Sequence, residues 1–368
     1  MMNHTCLSEG IPNVRKSTRH VSVPKKFNDF VVGNVRYSYD KVVSYTNLSS
    51  EDMCFAVNLN KIVEPVFYKE ACKDKQWIDA MNDELFALYR NDTWDIVDLP
   101  LGKKPIGCKW VYKVKYKSSG EVDRFKARLV AKGFNQVEGI DFEETFSPVV
   151  KMIIVRCVIS LSVQNNWPIY QLDVNNAFLY SNLREEVYMN LPDGLNVDDK
   201  NKVCKLKRSL YGLKQAPRMW NEKLVNVLVK IGFVQSKCDH SMFVKSVESV
   251  FVVLLVYVDD IVLTRNSSLE TDKVKSLLKK EFLIKDLGFL KYFLGIEVIK
   301  TDDGVCLSQR KYCMDLLNEY GMSGSKPVSC PIERNYVLTC LSKNKDLKSV
   351  SVIEYQKLVG KLIYLSHT

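Results

Sequence analysis

Asp259 and Asp260 are the only charges in an otherwise apolar stretch. Nine consecutive apolar residues, 250–258, read as a buried strand, and 261–264 read as its partner. The two aspartates then fall in the tight turn between them, where Asp tolerates unusual dihedrals. Burying a carboxylate pair beside so much aliphatic surface is costly unless a cation neutralises it. Oxygen-rich sites select Mg²⁺ or Mn²⁺. The plain alternative is a solvated turn.

A third carboxylate, Asp173, closes a predicted strand in IYQLDVNNAF. Chemistry that needs two divalent ions side by side, such as nucleotide polymerisation, needs at least two carboxylates from neighbouring strands to share them. Asp173 with the pair at 259 and 260 would supply that set. A metal-dependent phosphatase or nuclease would use the same residues. No Walker-type glycine loop competes, and four histidines (His4, His20, His240, His367) are too few and too scattered for a hydrolytic triad or a zinc finger.

The formal net charge of +10 is unevenly spread. Residues 103–132 hold ten Lys or Arg against Glu121 and Asp123, a local net charge of +8. Trp110, Tyr112, Tyr116 and Phe125 are interleaved with them. That combination suits a polyanion with stackable bases; a solvated hairpin with lysines outside has the same signature. A phosphatase or nuclease leaves this segment unexplained. Eleven cysteines without a CxxC pair read as free thiols in a reducing compartment. With neither a signal peptide nor an apolar run of spanning length, the expected location is intracellular, cytoplasmic or nuclear, and neither secreted nor membrane-spanning.

The elements that must position these residues follow from periodicity. A helix is expected over 69–90, strands over 94–99, 109–117 and 122–132, and a hairpin turn at Ser118-Ser119-Gly120. Further helices are expected over 150–163, 221–231 (closed by Gly232), 270–282, 311–320 and 355–366. Strands are expected over 167–174, across the 243–264 hairpin, and over 292–300 and 304–308. This order is α+β, not repeating βαβ. Residues 1–63 read as a polar, poorly ordered leader or linker, and 324–331 as a loop.

Nine stretches, in order, carry a resemblance: WIDAMNDEL, GCKWVYKVKY, KARLVAKGFNQVEGIDFEETFSPVV, LDVNNAFL, EEVYMNLPDG, LKRSLYGLKQAPRMW, LLVYVDDIVL, KYFLGIEV and LSQRKYCMDLL. Together they resemble the reverse transcriptase domain of copia-type LTR retrotransposons, in its plant-like variety, over about four fifths of the chain. The resemblance implies a right-hand polymerase fold with an antiparallel palm sheet. Residues 64–308 would form fingers and palm, and 309–368 a partial thumb or connection, cut before RNase H.

It also implies roles. Asp173, Asp259 and Asp260 match the catalytic, metal-holding aspartates, and Val174 would lend a backbone carbonyl to one of two Mg²⁺ or Mn²⁺ ions. Lys126 and Arg128 match positions that clamp the incoming triphosphate, which of the two being left open. Phe178 falls where the family has a steric gate against the ribose 2′ hydroxyl, a core aromatic being the alternative. Tyr211, Gly212 and Pro217 match a loop that closes on base pair and template. Lys285 stands where a late proton donor could act, or is a surface lysine, and 293–295 resembles the primer-grip hairpin. Expected partners are an RNA or DNA template-primer, deoxynucleoside triphosphates and the integrase and RNase H parts of a polyprotein, in a virus-like particle or the nucleus. Tyr180-Ser181-Asn182 and Arg265 depart from the family pattern. They motivate a rival reading: a decayed or co-opted element that folds and binds nucleic acid without polymerising.

Overall fold

The computed structural model describes residues 63–117, 121–197, 199, 201–266, 268–301, 304–322, 325 and 351–367. The leader expected over 1–63 (save Val63), the turn at Ser118-Ser119-Gly120 and most of the 324–331 loop lie outside the described residues.

A single helical turn (Tyr68–Ala71) precedes helix α1 (Lys75–Arg90). The continuous helix expected over 69–90 is broken because Asp74 caps the second piece, its carboxylate accepting the Gln76 N–H at 2.9 Å. After β1 (Trp94–Val97) comes the hairpin of β2 (Cys108–Tyr116) and β3 (Val122–Ala131). Trp110, Tyr112 and Val114 alternate inward along β2. Trp77 of α1 meets Tyr112 and Phe125 edge-on, with centroids 5.3 and 4.7 Å away. On the other face Lys113 lies directly across from Lys126, and Lys115 across from Arg124. Like charges opposite one another weaken a sheet. Glu64 pairs with Lys113 at 3.2 Å and Asp123 with Arg124 at 3.8 Å, and together with the α1 packing they sustain the hairpin.

Helix α2 (Met152–Gln164) leads to β4 (Ile169–Val174) and a 3₁₀ turn (Ala177–Tyr180). Strands β5 (Asn182–Asn190) and β6 (Val203–Arg208) join β1 in a small sheet of order β1-β6-β5. Helix α3 (Ala216–Lys230) starts five residues earlier than expected, because Pro217 in its first turn is preset for helix and needs no donor there. Gly232 follows it at φ 91°, as a helix-ending glycine should.

The 243–264 hairpin is in fact a three-strand meander: β8 (Met242–Val247), β9 (Val250–Tyr257) and β10 (Asp260–Arg265), preceded by β7 (Val234–Gln235). Helix α4 (Ser268–Glu281) then returns the chain to β11 (Ile284–Phe289). The resulting six-stranded sheet is antiparallel throughout, in the order β11-β4-β10-β9-β8-β7. Both its faces are covered. Val155, Val158 and Ile159 of α2 cluster with Val253, Leu255 and Val262, while Leu224 and Leu228 of α3 and Val274 and Leu278 of α4 cluster with Leu254, Val256 and Leu263. Double coverage explains why β9 is apolar without alternation.

The strand expected over 292–300 is split into β12 (Tyr292–Phe293) and β13 (Ile296–Thr301) by a tight turn with Leu294 at φ 47° and Gly295 at φ 75°. Strand β14 (Gly304–Ser308) and helices α5 (Arg310–Glu319) and α6 (Val352–His367) complete the described chain. The Tyr364 hydroxyl donates to the Leu294 carbonyl.

Several contacts tie the β2–β3 hairpin to the segment before α3. The Ala131 N–H donates to the Tyr211 carbonyl at 2.7 Å, and Gly212 lies against the Ala131 carbonyl at φ 93°, so a Cβ there would overlap that oxygen. Gly133 in turn lies against the Gly212 carbonyl. Gln136 then accepts from the Lys214 N–H at 2.8 Å and donates to Gln215 at 3.0 Å. The Gly212→Ala variant has both a forbidden dihedral and a backbone clash, and should lose roughly 2–4 kcal/mol of stability in urea unfolding. A wild-type midpoint would refute this packing.

Candidate active site

Asp173 and Asp260 are directly opposed in the β4–β10 ladder, which puts their side chains on one face of the sheet. Asp259 is the second residue of the two-residue turn that joins β9 to β10, since Tyr257 pairs with Asp260. Only Asp259 is therefore in the turn proper; Asp260 opens the strand. Val258, the other turn residue, adopts φ 51°, a left-handed conformation that a β-branched side chain disfavours. Three bonds hold this end of the sheet. The Val174 N–H donates to the Asp259 carbonyl at 2.9 Å, the Trp220 indole to the Val258 carbonyl at 2.7 Å, and the Asn175 N–H to the Leu283 carbonyl at 3.0 Å.

All three aspartates are half-buried. Burial, reinforced by Asp259 and Asp173, pushes the Asp260 carboxyl up to about 6, although the Gln171 amide donates to it at 3.3 Å. Burial also raises Asp259, as does Asp173, against the pull of Lys126 and Arg128. These are hard oxygen donors that repel one another, with too little hydrogen bonding to offset their burial, and a divalent cation suits them. Among the described residues no three His, Cys, Asp or Glu side chains converge tightly enough to cage a metal unaided. Mg²⁺ is commonly held by one or two carboxylates together with substrate phosphates and water.

Facing the carboxylates is the basic strand. Lys126 is lowered chiefly by burial, and further by Arg128, Lys115 and Arg124, while Asp173 pulls it back up. Arg128 is differently placed. Its guanidinium pairs at 2.5 Å with Glu84, which is 4% exposed, and lies over the Tyr211 ring at 5.5 Å. Burial raises the Glu84 carboxyl in spite of this partner. A cavity of about 470 Å³ runs between α1, β3 and the turn after Asp173, lined by Glu84, Arg90, Arg124, Lys126, Arg128 and Asn176 among others. Glu84 lies in the WIDAMNDEL stretch but its spacing assigned it no role; only the fold reveals its partner.

The remaining expected site residues are close by, in varied settings. Phe178 is 8% exposed and packs edge-on against Tyr211, centroids 4.7 Å apart. Burial pushes the Tyr211 hydroxyl up to about 12, with Asp259 adding to the effect, so it stays protonated. The close approach Gly212 serves in this structure is to strand β3. Val174 pairs with Ile284 and its side chain is buried. Lys285 is exposed and lies directly across from Asp173. The departures from the family pattern are built into the fold: the Tyr180 hydroxyl accepts the Leu283 N–H at 2.8 Å, Ser181 donates to the Phe178 carbonyl at 2.8 Å, and Arg265 is buried over the Tyr170 ring.

The sequence model of the family described as reverse transcriptase (RNA-dependent DNA polymerase) matches residues 91–334. The chain belongs to that family. The retrovirus-related Pol polyprotein from transposon RE1 of Arabidopsis thaliana is 45% identical over 315 residues, covering 85% of this chain and 21% of that polyprotein. The corresponding polyprotein from transposon TNT 1-94 of Nicotiana tabacum is 39% identical over 82% of this chain and 23% of its own length. The chain thus spans about a fifth of the curated relatives it matches. These copia-type relatives bear out the resemblance carried by the nine motifs, and the α+β order with an antiparallel sheet is as expected. A foamy viral protease-reverse transcriptase, solved in complex with dsDNA, aligns over 79% of this chain and 48% of its own at 13% identity and a TM-score of 0.37, which does not itself establish a shared fold. No helix among the described residues is long and apolar enough to cross a membrane.

The Asp260 shift has a signed consequence. An acid whose folded pKa exceeds its unfolded one weakens the fold once ionised. The penalty is absent below about pH 4, grows as pH rises, and is complete above about pH 6. In chelator, Asp260→Asn should therefore be more stable than wild type by roughly 1–2 kcal/mol at pH 7 and equal to it at pH 4. Urea unfolding at the two pH values checks this, and an Asp260→Asn chain no more stable at pH 7 would contradict it.

Proposed function

We propose that this chain is an RNA-directed DNA polymerase domain that extends a primer 3′ end with deoxynucleoside triphosphates. The observation that carries the reading is the opposition of Asp173 and Asp260 beside Asp259, facing a cationic strand, in a chain of the reverse transcriptase family. Residues 64–308 act as fingers and palm, and 309–368 begin a thumb or connection. Asp173, Asp259 and Asp260, with the Val174 carbonyl, hold two Mg²⁺ or Mn²⁺ ions. When bound, such a pair activates the primer hydroxyl and stabilises the leaving pyrophosphate.

The protein's own residues do the rest. Lys126 has no ion-pair partner among the described residues, whereas Arg128 is neutralised by Glu84. Lys126 is accordingly the cation whose charge the incoming triphosphate completes, and Arg128 fixes the Tyr211 ring beside it. Desolvated cations facing the reacting phosphates also stabilise charge that develops there. Phe178, backed by Tyr211, presents its ring edge to the sugar and excludes a 2′ hydroxyl by bulk. Exposed basic residues of β2 and β3, Lys115 and Arg124 among them, meet the template-primer backbone, so binding weakens steeply with salt. Further parts of a polyprotein, integrase and RNase H, are the expected companions.

Primer extension on poly(rA) with oligo(dT) and dTTP tests the proposal. Wild type should extend only with a divalent ion, and Asp173→Asn or Asp259→Asn should lose activity on the order of a thousandfold. Phe178→Ala should accept ribonucleotides more readily at nearly unchanged deoxynucleotide rate. A wild-type chain that binds template-primer but adds no nucleotide with either ion would refute the assignment.

A further inference from the structure

The turn that carries Asp259 is held in an unfavourable shape by a residue outside the carboxylate set. Val258 sits at φ 51°, and β-branched side chains rarely adopt that region without an external constraint. Its carbonyl accepts a 2.7 Å hydrogen bond from the indole N–H of Trp220 in α3. The indole is 2% exposed, and the N–H is its one polar group. The ring is itself fixed, packing edge-on against Phe282 with centroids 5.0 Å apart and beside Tyr180 at 6.3 Å. Leu283, next to Phe282, anchors the chain just past β4: its N–H donates to the Tyr180 hydroxyl and its carbonyl accepts the Asn175 N–H. One aromatic cluster thus braces both strands that bring the carboxylates together.

We infer that Trp220 is a positioning residue for the reaction: its N–H holds the Val258 peptide in the left-handed turn and so keeps the Asp259 carboxylate aimed at the space it shares with Asp173. Released from that bond, Val258 relaxes toward negative φ, the 258–259 peptide rotates, and the carboxylates lose their common focus. Packing alone does not explain the arrangement, since a phenylalanine would fill most of the same volume without reaching the carbonyl. The inference rests on the polymerase reading only for its kinetic arm.

Trp220→Phe keeps the aromatic body and deletes the donor. The probe is Mn²⁺ binding by calorimetry, which needs no turnover, alongside primer extension. Trp220→Phe should weaken Mn²⁺ binding and lower kcat by roughly tenfold each, about 1.4 kcal/mol, with KM for dTTP within about twofold of wild type. Glycine adopts positive φ freely, so the brace becomes redundant in a Val258→Gly background, where adding Trp220→Phe should change Mn²⁺ affinity by less than about twofold. Equal losses with and without the Val258→Gly substitution would mean that Trp220 acts by packing, and an unchanged Mn²⁺ affinity in Trp220→Phe would mean that it does not hold the turn; either overturns the inference. A wild-type chain that binds Mn²⁺ and extends no primer overturns the polymerase reading instead, and the Mn²⁺ arm then decides the role of Trp220 by itself.

Discussion

Three carboxylates that repel one another must be kept together at the ends of two interior strands of an aliphatic sheet, and most of the described structure bears on that constraint. Left to themselves, Asp173, Asp259 and Asp260 would splay into solvent. They are prevented by the register of β4 on β10, which is locked by apolar residues on both faces and cannot slip without exposing them. The backbone beside them is pinned at three carbonyls, so the strain of the Val258 turn is retained. Burial of Asp259 and Asp260 costs stability here, a cost that a bound divalent cation would offset.

The cationic hairpin is the complementary half of the same arrangement. Lys113 against Lys126 and Lys115 against Arg124 make a basic face, eased by Glu64 on Lys113 at 3.2 Å and Asp123 on Arg124 at 3.8 Å, that phosphate would complement further. Rigidity comes from the opposite face, through Trp77, Tyr112 and Phe125, and from the glycine contacts that fasten the end of β3 to residues 211–215. Glu84 separates the roles of the two central cations. By pairing with Arg128 it leaves Lys126 as the one of the two without an ion-pair partner among the described residues.

Much of this was legible in the sequence because the signals were strong and local. The apolar run before Asp259, the alternation in β2 and β3 and the strand ending at Asp173 each depend on one period and one face. What escaped depends on non-local packing. Strands β5, β6 and β11 are short or mixed in polarity, and they exist because a neighbouring strand offers them a ladder. The break before α1 turns on the cap at Asp74, and the early start of α3 on Pro217, details that a hydrophobic period does not carry. Asp259 and Asp260 read as equivalent, yet one lies in the turn and the other in the strand, because the residue that takes the left-handed dihedral is Val258. The Glu84–Arg128 and Trp220–Val258 contacts join residues 44 and 38 positions apart and leave no trace in spacing.

The central claim is that Asp173 and Asp259 share divalent ions with a bound nucleotide. Anomalous scattering from crystals grown with Mn²⁺, a template-primer and a non-hydrolysable deoxynucleoside triphosphate tests it most directly. The account predicts two manganese peaks roughly 3.5–4 Å apart between Asp173, Asp259 and the triphosphate. Manganese bound elsewhere on the chain, with these carboxylates bare beside an ordered nucleotide, would contradict it.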